Sequence, residues 1–229
     1  MSAFPTTRWT LILAASESPE AKAQAWRHLL STYWTSLYAL FRARGLDGAA
    51  AADAVQGLCL ELLERKVIDH LNPERGRLRG FLKVAAENFL IRQHEKSTAA
   101  KRGGATKAIE LDLVLGERLA DPALTPDLAF ERAWAVSVFE RAMKALEHDW
   151  QSRTGDFELI RRFFSPSEEP PAYRDAAEQY GVSIPQLKSL LHRARLRFRE
   201  LVEAEVLQTV GEGAELENEV NSLLDSLSR

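Results

Sequence analysis

The sequence predicts an all-α protein: two small helical domains, an N-terminal helical bundle and a C-terminal helix-turn-helix domain, joined by a flexible linker. Three observations carry that prediction. Apolar residues recur at i, i+3 and i+4 through most of the chain, the period of a helix with one buried face. Sustained period-2 alternation and Asn-Gly or Asp-Gly hairpin turns are missing, so strands have no support. Between two periodic blocks the pattern decays into STAAKRGGATKAIELDLVLGERLADPALTPD, where paired glycines, prolines and mixed charges mark an inter-domain linker. The expected boundaries are 1–99 for the first domain, 100–126 for the linker, 127–210 for the second domain and 211–229 for a C-terminal extension.

Taken in order, residues 22–44 place Trp26, Leu29, Leu30, Tyr33, Trp34, Leu37, Leu40 and Phe41 on one broad apolar stripe, and Gly45 ends that helix. Asp47 is placed to cap the next, which runs to about Lys66 with Val55, Leu58, Cys59 and Leu62 inward. HLNPERGRLRG forms an irregular basic link. A third helix, Phe81 to Lys96, turns Phe81, Leu82, Ala85, Phe89 and Leu90 inward. Beyond the linker, residues 127–150 carry Phe130, Trp134, Val138, Phe139, Met143 and Leu146 on one side, and 156–164 form a short apolar helix. SPSEEPP breaks the chain before two helices separated by Gly181-Val-Ser183. From Gly211 the tail GEGAELENEVNSLLDSLSR predicts a hinge and a short amphipathic acidic helix.

With 45% hydrophobic and 28% charged residues in a chain of 229, the composition is that of an ordinary globular protein. No apolar run approaches the ~20 residues of a membrane span, and MSAFPTTRWT lacks the plan of a signal peptide. A cytoplasmic protein without a membrane partner is expected. Cys59 is the single cysteine, so no internal disulfide forms, and its leucine-rich setting predicts a buried thiol. His28, His70, His94, His148 and His192 are scattered without metal-ligand spacing. KRGGATK lacks the G-K-[ST] order of a phosphate loop. The expectation is a protein that is not an enzyme and uses no cofactor. The net charge of −3 says nothing of a polyanion partner, so charge is read segment by segment.

The most specific segment is YRDAAEQYGVSIPQLKSLLHRARLRFREL, Tyr173 to Leu201. Ala176 and Ala177 allow a close helix approach, and Gly181 supplies the turn. Ser183 and Gln186 have capping-box spacing, with Pro185 in the first turn. Leu187, Leu190, Leu191, Ala194 and Phe198 face inward; Gln186, Lys188, Ser189, His192, Arg193, Arg195, Arg197 and Arg199 face outward. A helix with polar and basic side chains at its N-terminal half, then arginines along its length, suits entry into a major groove and grip on flanking phosphates.

These residues resemble the promoter-reading domain of the sigma-70 family, particularly the small extracytoplasmic-function (ECF) sigma factors of bacteria. In the front half, LLSTYWTSLYALFRARG, DAVQGLCLELLE and GRLRGFLKVAAENFLIRQH are similar, in order, to that family's first helix, polymerase-binding helix and −10-reading helix. The resemblance spans about residues 4–210. It implies a non-catalytic initiation subunit that joins core RNA polymerase through the β′ coiled coil and β flap and directs it to promoter DNA. It assigns polymerase binding to Asp53, Gln56 and Glu61, the −10 element to Arg75, Arg77, Arg79, Asn88, Arg92 and Lys96, and the −35 element to Gln186, Lys188, Ser189, His192, Arg193 and Arg195. The competing expectation is a helix-turn-helix regulator that binds DNA without joining polymerase.

The stretch AAAADAVQG departs from the family pattern. Asp53 and Gln56 match, but Ala50, Ala52 and Gly57 stand where acids are usual. At ~0.2–1 kcal/mol per rim charge, the loss is roughly 1–3 kcal/mol of docking energy, so weak core binding until activation is expected. The resemblance implies a Ser/Thr kinase as activator, with a protein regulator as the alternative. No serine or threonine lies between Ser36 and Ser97, which leaves Ser31, Thr32, Thr35 and Ser36 on the preceding helix as candidate phosphorylation sites. The acidic C-terminal helix has two readings, an extra packing helix or a segment that folds back on the basic DNA-reading helix and blocks it.

Overall fold

The computed structural model describes residues 19–64, 78–99, 124–150, 154–164, 169–207 and 216–228. Among these the fold is all-α, with no strand. The helices are α1 (Pro19–Ala43), α2 (Gly48–Glu64), α3 (Leu78–Ala99), α4 (Pro126–Asp149), α5 (Thr154–Phe164), α6 (Tyr173–Gln179), α7 (Ile184–Leu207) and α8 (Leu216–Ser228). No helix among the described residues is long and apolar enough to cross a membrane.

The helix ends follow local chemistry. After α1, Gly45 adopts φ +89°; its N–H donates to the Arg42 carbonyl at 2.9 Å and the Leu46 N–H to the Phe41 carbonyl at 3.2 Å. Those are the paired bonds of a Schellman motif, which a residue at positive φ closes and which favours glycine. Gly181 (φ +63°) repeats the arrangement after α6, with its N–H on the Glu178 carbonyl and the Val182 N–H on that of Ala177. At the start of α2 the Asp47 carboxylate accepts the Ala50 N–H at 2.8 Å, as capping requires. The start of α3 differs from expectation: it begins at Leu78, so Leu78-Arg79-Gly80 belongs to a helix rather than to the basic link.

The chain divides into two compact units, Met1–Ser137 with Leu207–Arg229, and Val138–Val206. The division lies inside α4, and α8 belongs to the first unit; the sequence placed all of α4 in the second domain and the tail apart. Residues 100–123 of the expected linker lie outside the described set. In the first unit, small residues let α4 approach α1 closely: Ala129 and Ala133 pack on Ala39, and Phe130 stacks on Tyr33 with centroids 6.3 Å apart. With α2 and α3 also packed on α1, every residue from Thr32 to Phe41 is buried. From Tyr33 to Phe41 the stripe expected on α1 is buried, and the opposite face is covered as well; the side chains of Trp26, Leu29 and Leu30 lie outside the described ones. In the second unit Leu187, Leu190, Leu191 and Ala194 of α7 join Ala176 and Ala177 of α6, Leu146 of α4, and Phe157, Leu159 and Ile160 of α5. Phe198 contacts Phe139 and Phe164 edge-on, at 5.2 and 5.3 Å.

Candidate functional site

The turn between α6 and α7 and the cap at the start of α7 are built as the spacing predicts. The Ser183 N–H donates to Gln186 Oε1 at 2.8 Å, and the Gln186 N–H reaches Ser183 Oγ at 3.4 Å, so the capping box is reciprocal. Lys188, Ser189, His192, Arg193 and Arg195 are all exposed on α7. Among the described residues, Lys188, His192, Arg193 and Arg195 form no ion pair; the Lys188 ammonium lies 5.8 Å from the Tyr173 ring centroid. The later arginines differ. Arg197 pairs with Asp149 at 2.7 Å and with Glu200 at 2.9 Å, and Arg199 pairs with Glu203 at 2.8 Å. Hydrogen bonds to Asp149 and then Glu200 raise the Arg197 pKa further above its ordinary value. The outward basic stripe is therefore neutralised in its C-terminal half and left open in its N-terminal half, beside a cleft of ≈ 300 Å³ lined by Asp156, Val182, Gln186, Ser189 and Arg193.

In the first unit, α2 and α3 border a cleft of ≈ 570 Å³ whose lining includes Leu46, Asp53, Gln56, Gly57, Leu60 and Phe89. Asp53 and Gln56 thus share one cleft, next to Leu60, which is 49% exposed. Gly57 has a packing reason the sequence did not reveal: a Cβ there would lie 2.8 Å from Phe89 Cζ. The missing side chain lets Phe89 cross α2, so Gly57 is more than an acid lost from the pattern. Glu61 points elsewhere and pairs with Arg92 at 2.6 Å, joining a residue expected at polymerase to one expected at DNA. Burial raises the Cys59 thiol from 9.0 to about 12, opposed by a backbone hydrogen bond, which leaves it a thiol at neutral pH.

No protein-family model, curated protein or solved structure matches the chain.

For the −10 set, the structure divides the expected residues. Arg75 and Arg77 lie outside the described residues, as does the Lys96 side chain; Asn88 is exposed. Arg79 is the surprise. It is buried, with its guanidinium 3.7 Å from the centroid of the Trp134 ring; Nη1 donates to Glu131 at 2.5 Å and Nη2 to Glu219 of α8. Beside it Lys83 bridges Asp127 and Glu131, both at 3.1 Å. Burial alone would lower the Lys83 pKa, but the hydrogen bonds and charges of the two carboxylates outweigh it and the net shift is upward. In this conformation Arg79 has no face for DNA. The signal for Glu219 was in the sequence: it occupies an apolar register of α8, four residues before the buried Leu223.

The candidate phosphorylation residues are also divided. Ser31 is exposed, whereas Thr32, Thr35 and Ser36 are buried under the packing around α1. A phosphate on any of those three would carry roughly −1.5 to −2 charges into the core.

Proposed function

We propose that the chain is an initiation subunit similar to the ECF sigma factors: a promoter-reading adaptor that binds core RNA polymerase and carries no catalysis. In this reading the first unit contacts the −10 element and the second the −35 element. The observation that carries it is the asymmetry along α7. Surface arginines commonly find carboxylates nearby, and Arg197 and Arg199 have done so. Lys188, His192, Arg193 and Arg195, at the end of the helix that enters a groove, keep their donors available to base edges and phosphates. A good bidentate contact from Arg193 or Lys188 to guanine supplies ~1–3 kcal/mol of discrimination.

The cleft holding Asp53 and Gln56 supports docking on polymerase through an apolar centre with a sparse polar rim. Few rim charges favour weak association and slow electrostatic steering, consistent with a subunit that needs help to join polymerase. The burial of Thr32, Thr35 and Ser36 favours a protein regulator, or a kinase acting on Ser31, over the other three hydroxyls as the source of that help. Transcription in vitro from a cognate promoter, with purified core enzyme and the chain, tests the reading. Promoter-specific transcripts that require both are expected. Promoter binding by the chain alone, with no effect on core enzyme, would replace the reading with the stand-alone regulator.

A further inference from the structure

We infer that α8 is an intramolecular latch: its Glu219 carboxylate occupies the edge of Arg79 that would otherwise take a phosphate oxygen of single-stranded nucleic acid. The inference rests on the reading above, because it takes the α3 face for a nucleic-acid surface.

Arg79 has two donor edges in use. Nη1 goes to Glu131 on α4 and Nη2 to Glu219 on α8, with side chains 3% exposed for Arg79 and 0% for Glu219. The Nη1 contact and the stacking on Trp134 both come from α4, so the guanidinium is oriented without α8. Arg79 and Lys83 are already balanced by Asp127 and Glu131, so Glu219 is not needed to neutralise that cluster. What α8 adds is an oxyanion at Nη2. Carboxylate and phosphate present the same acceptor geometry to a guanidinium, so the two compete for that edge.

Among the described side chains of α8, Glu219 and Leu223 are buried, one helical turn apart. A helix of 13 residues is at the length where isolated helices are marginal in water, so leaving Arg79 and losing helical order occur together. Such a segment opens at lower cost than the core beneath it. The closed state thus keeps Arg79 from nucleic acid in the free chain, and a bound strand displaces the tail.

The test is fluorescence anisotropy of a labelled single-stranded oligonucleotide with the full chain, its Glu219→Gln and Leu223→Ala variants, and each variant combined with Arg79→Met. If the open state is ~1–10% populated in the wild type, each latch variant binds about 10- to 100-fold more tightly, and Arg79→Met removes the gain. Equal binding by wild type and both latch variants overturns the latch and leaves the nucleic-acid reading intact. A gain that survives Arg79→Met overturns it too. Binding by none of the proteins, when the same preparations still support promoter-specific transcription with core enzyme, overturns the assignment of Arg79 but not the function. Where a variant loses cooperative melting, hydrogen exchange of wild-type residues 216–228 decides: faster exchange with saturating oligonucleotide is expected, and unchanged exchange refutes the latch.

Discussion

Replacing Gly57 by alanine separates two accounts of AAAADAVQG. If Gly57 were only a helix position that had lost an acid, alanine would add ~1 kcal/mol through helix propensity. The structure predicts the opposite balance. The new Cβ meets Phe89 Cζ at 2.8 Å, and Phe89 is itself buried against Phe41, with centroids 6.3 Å apart, so the ring has little room to yield. Overpacking of this kind costs ~1–3 kcal/mol. The net expectation is ~0–2 kcal/mol of destabilisation, or a fall in Tm of up to roughly 8 °C for a chain of this size. Gly80 provides the internal control, since a Cβ there meets nothing within 4 Å; Gly80→Ala gains up to ~1 kcal/mol. Urea unfolding of both variants, followed by circular dichroism, gives the comparison. Adding Phe89→Leu to Gly57→Ala recovers part of its loss, because contacting sites couple. If Gly57→Ala stabilises as much as Gly80→Ala, the packing argument is wrong.

On the proposed function, acids placed at Ala50 and Ala52, with Gly57 kept, raise affinity for core polymerase by roughly two- to thirtyfold at ~0.2–1 kcal/mol per charge; unchanged affinity in a pull-down titration removes the charge deficit from that proposal. On the proposed function, Arg193→Ala and Lys188→Ala each weaken binding to promoter DNA by ~1–3 kcal/mol and relax its sequence preference in a competition assay, while Arg197→Ala, already paired in the chain, changes neither. Ser183→Ala breaks the capping box and costs ~0.5–2 kcal/mol in thermal unfolding. Cys59 reacts slowly with a thiol reagent in the native protein. Its folded pKa is raised, so the stability it contributes is present below pH 9.0 and declines as the pH rises toward about 12; Cys59→Ala flattens that part of the stability profile.

How much of this was legible beforehand depends on the range of the interaction involved. The Asp47 cap, the turns at Gly45 and Gly181 and the Ser183–Gln186 box all act within a few residues, and each was readable from spacing. So was the inner face of α7, since its buried residues recur at the helical period. The side of a helix that a distant segment covers leaves a much weaker trace. Thr32, Thr35 and Ser36 look like surface hydroxyls when α1 is considered with its neighbours in sequence, and α4 lies about ninety residues on. Gly57 looked like a lost charge because the ring that needs its space belongs to another helix.

The sequence by itself determined the all-α class, the order of the helices, the caps of α2 and α7 and the basic face of α7, because hydrophobic period and capping are local properties of the chain. Only the tertiary structure decided that Arg79 is buried between α3, α4 and α8, that Glu61 and Arg92 neutralise each other, and that Arg197 and Arg199 are already paired. The physical reason is that a charge's availability depends on which opposite charge the fold brings within a few ångströms. That partner can lie as far along the chain as Glu219 does from Arg79.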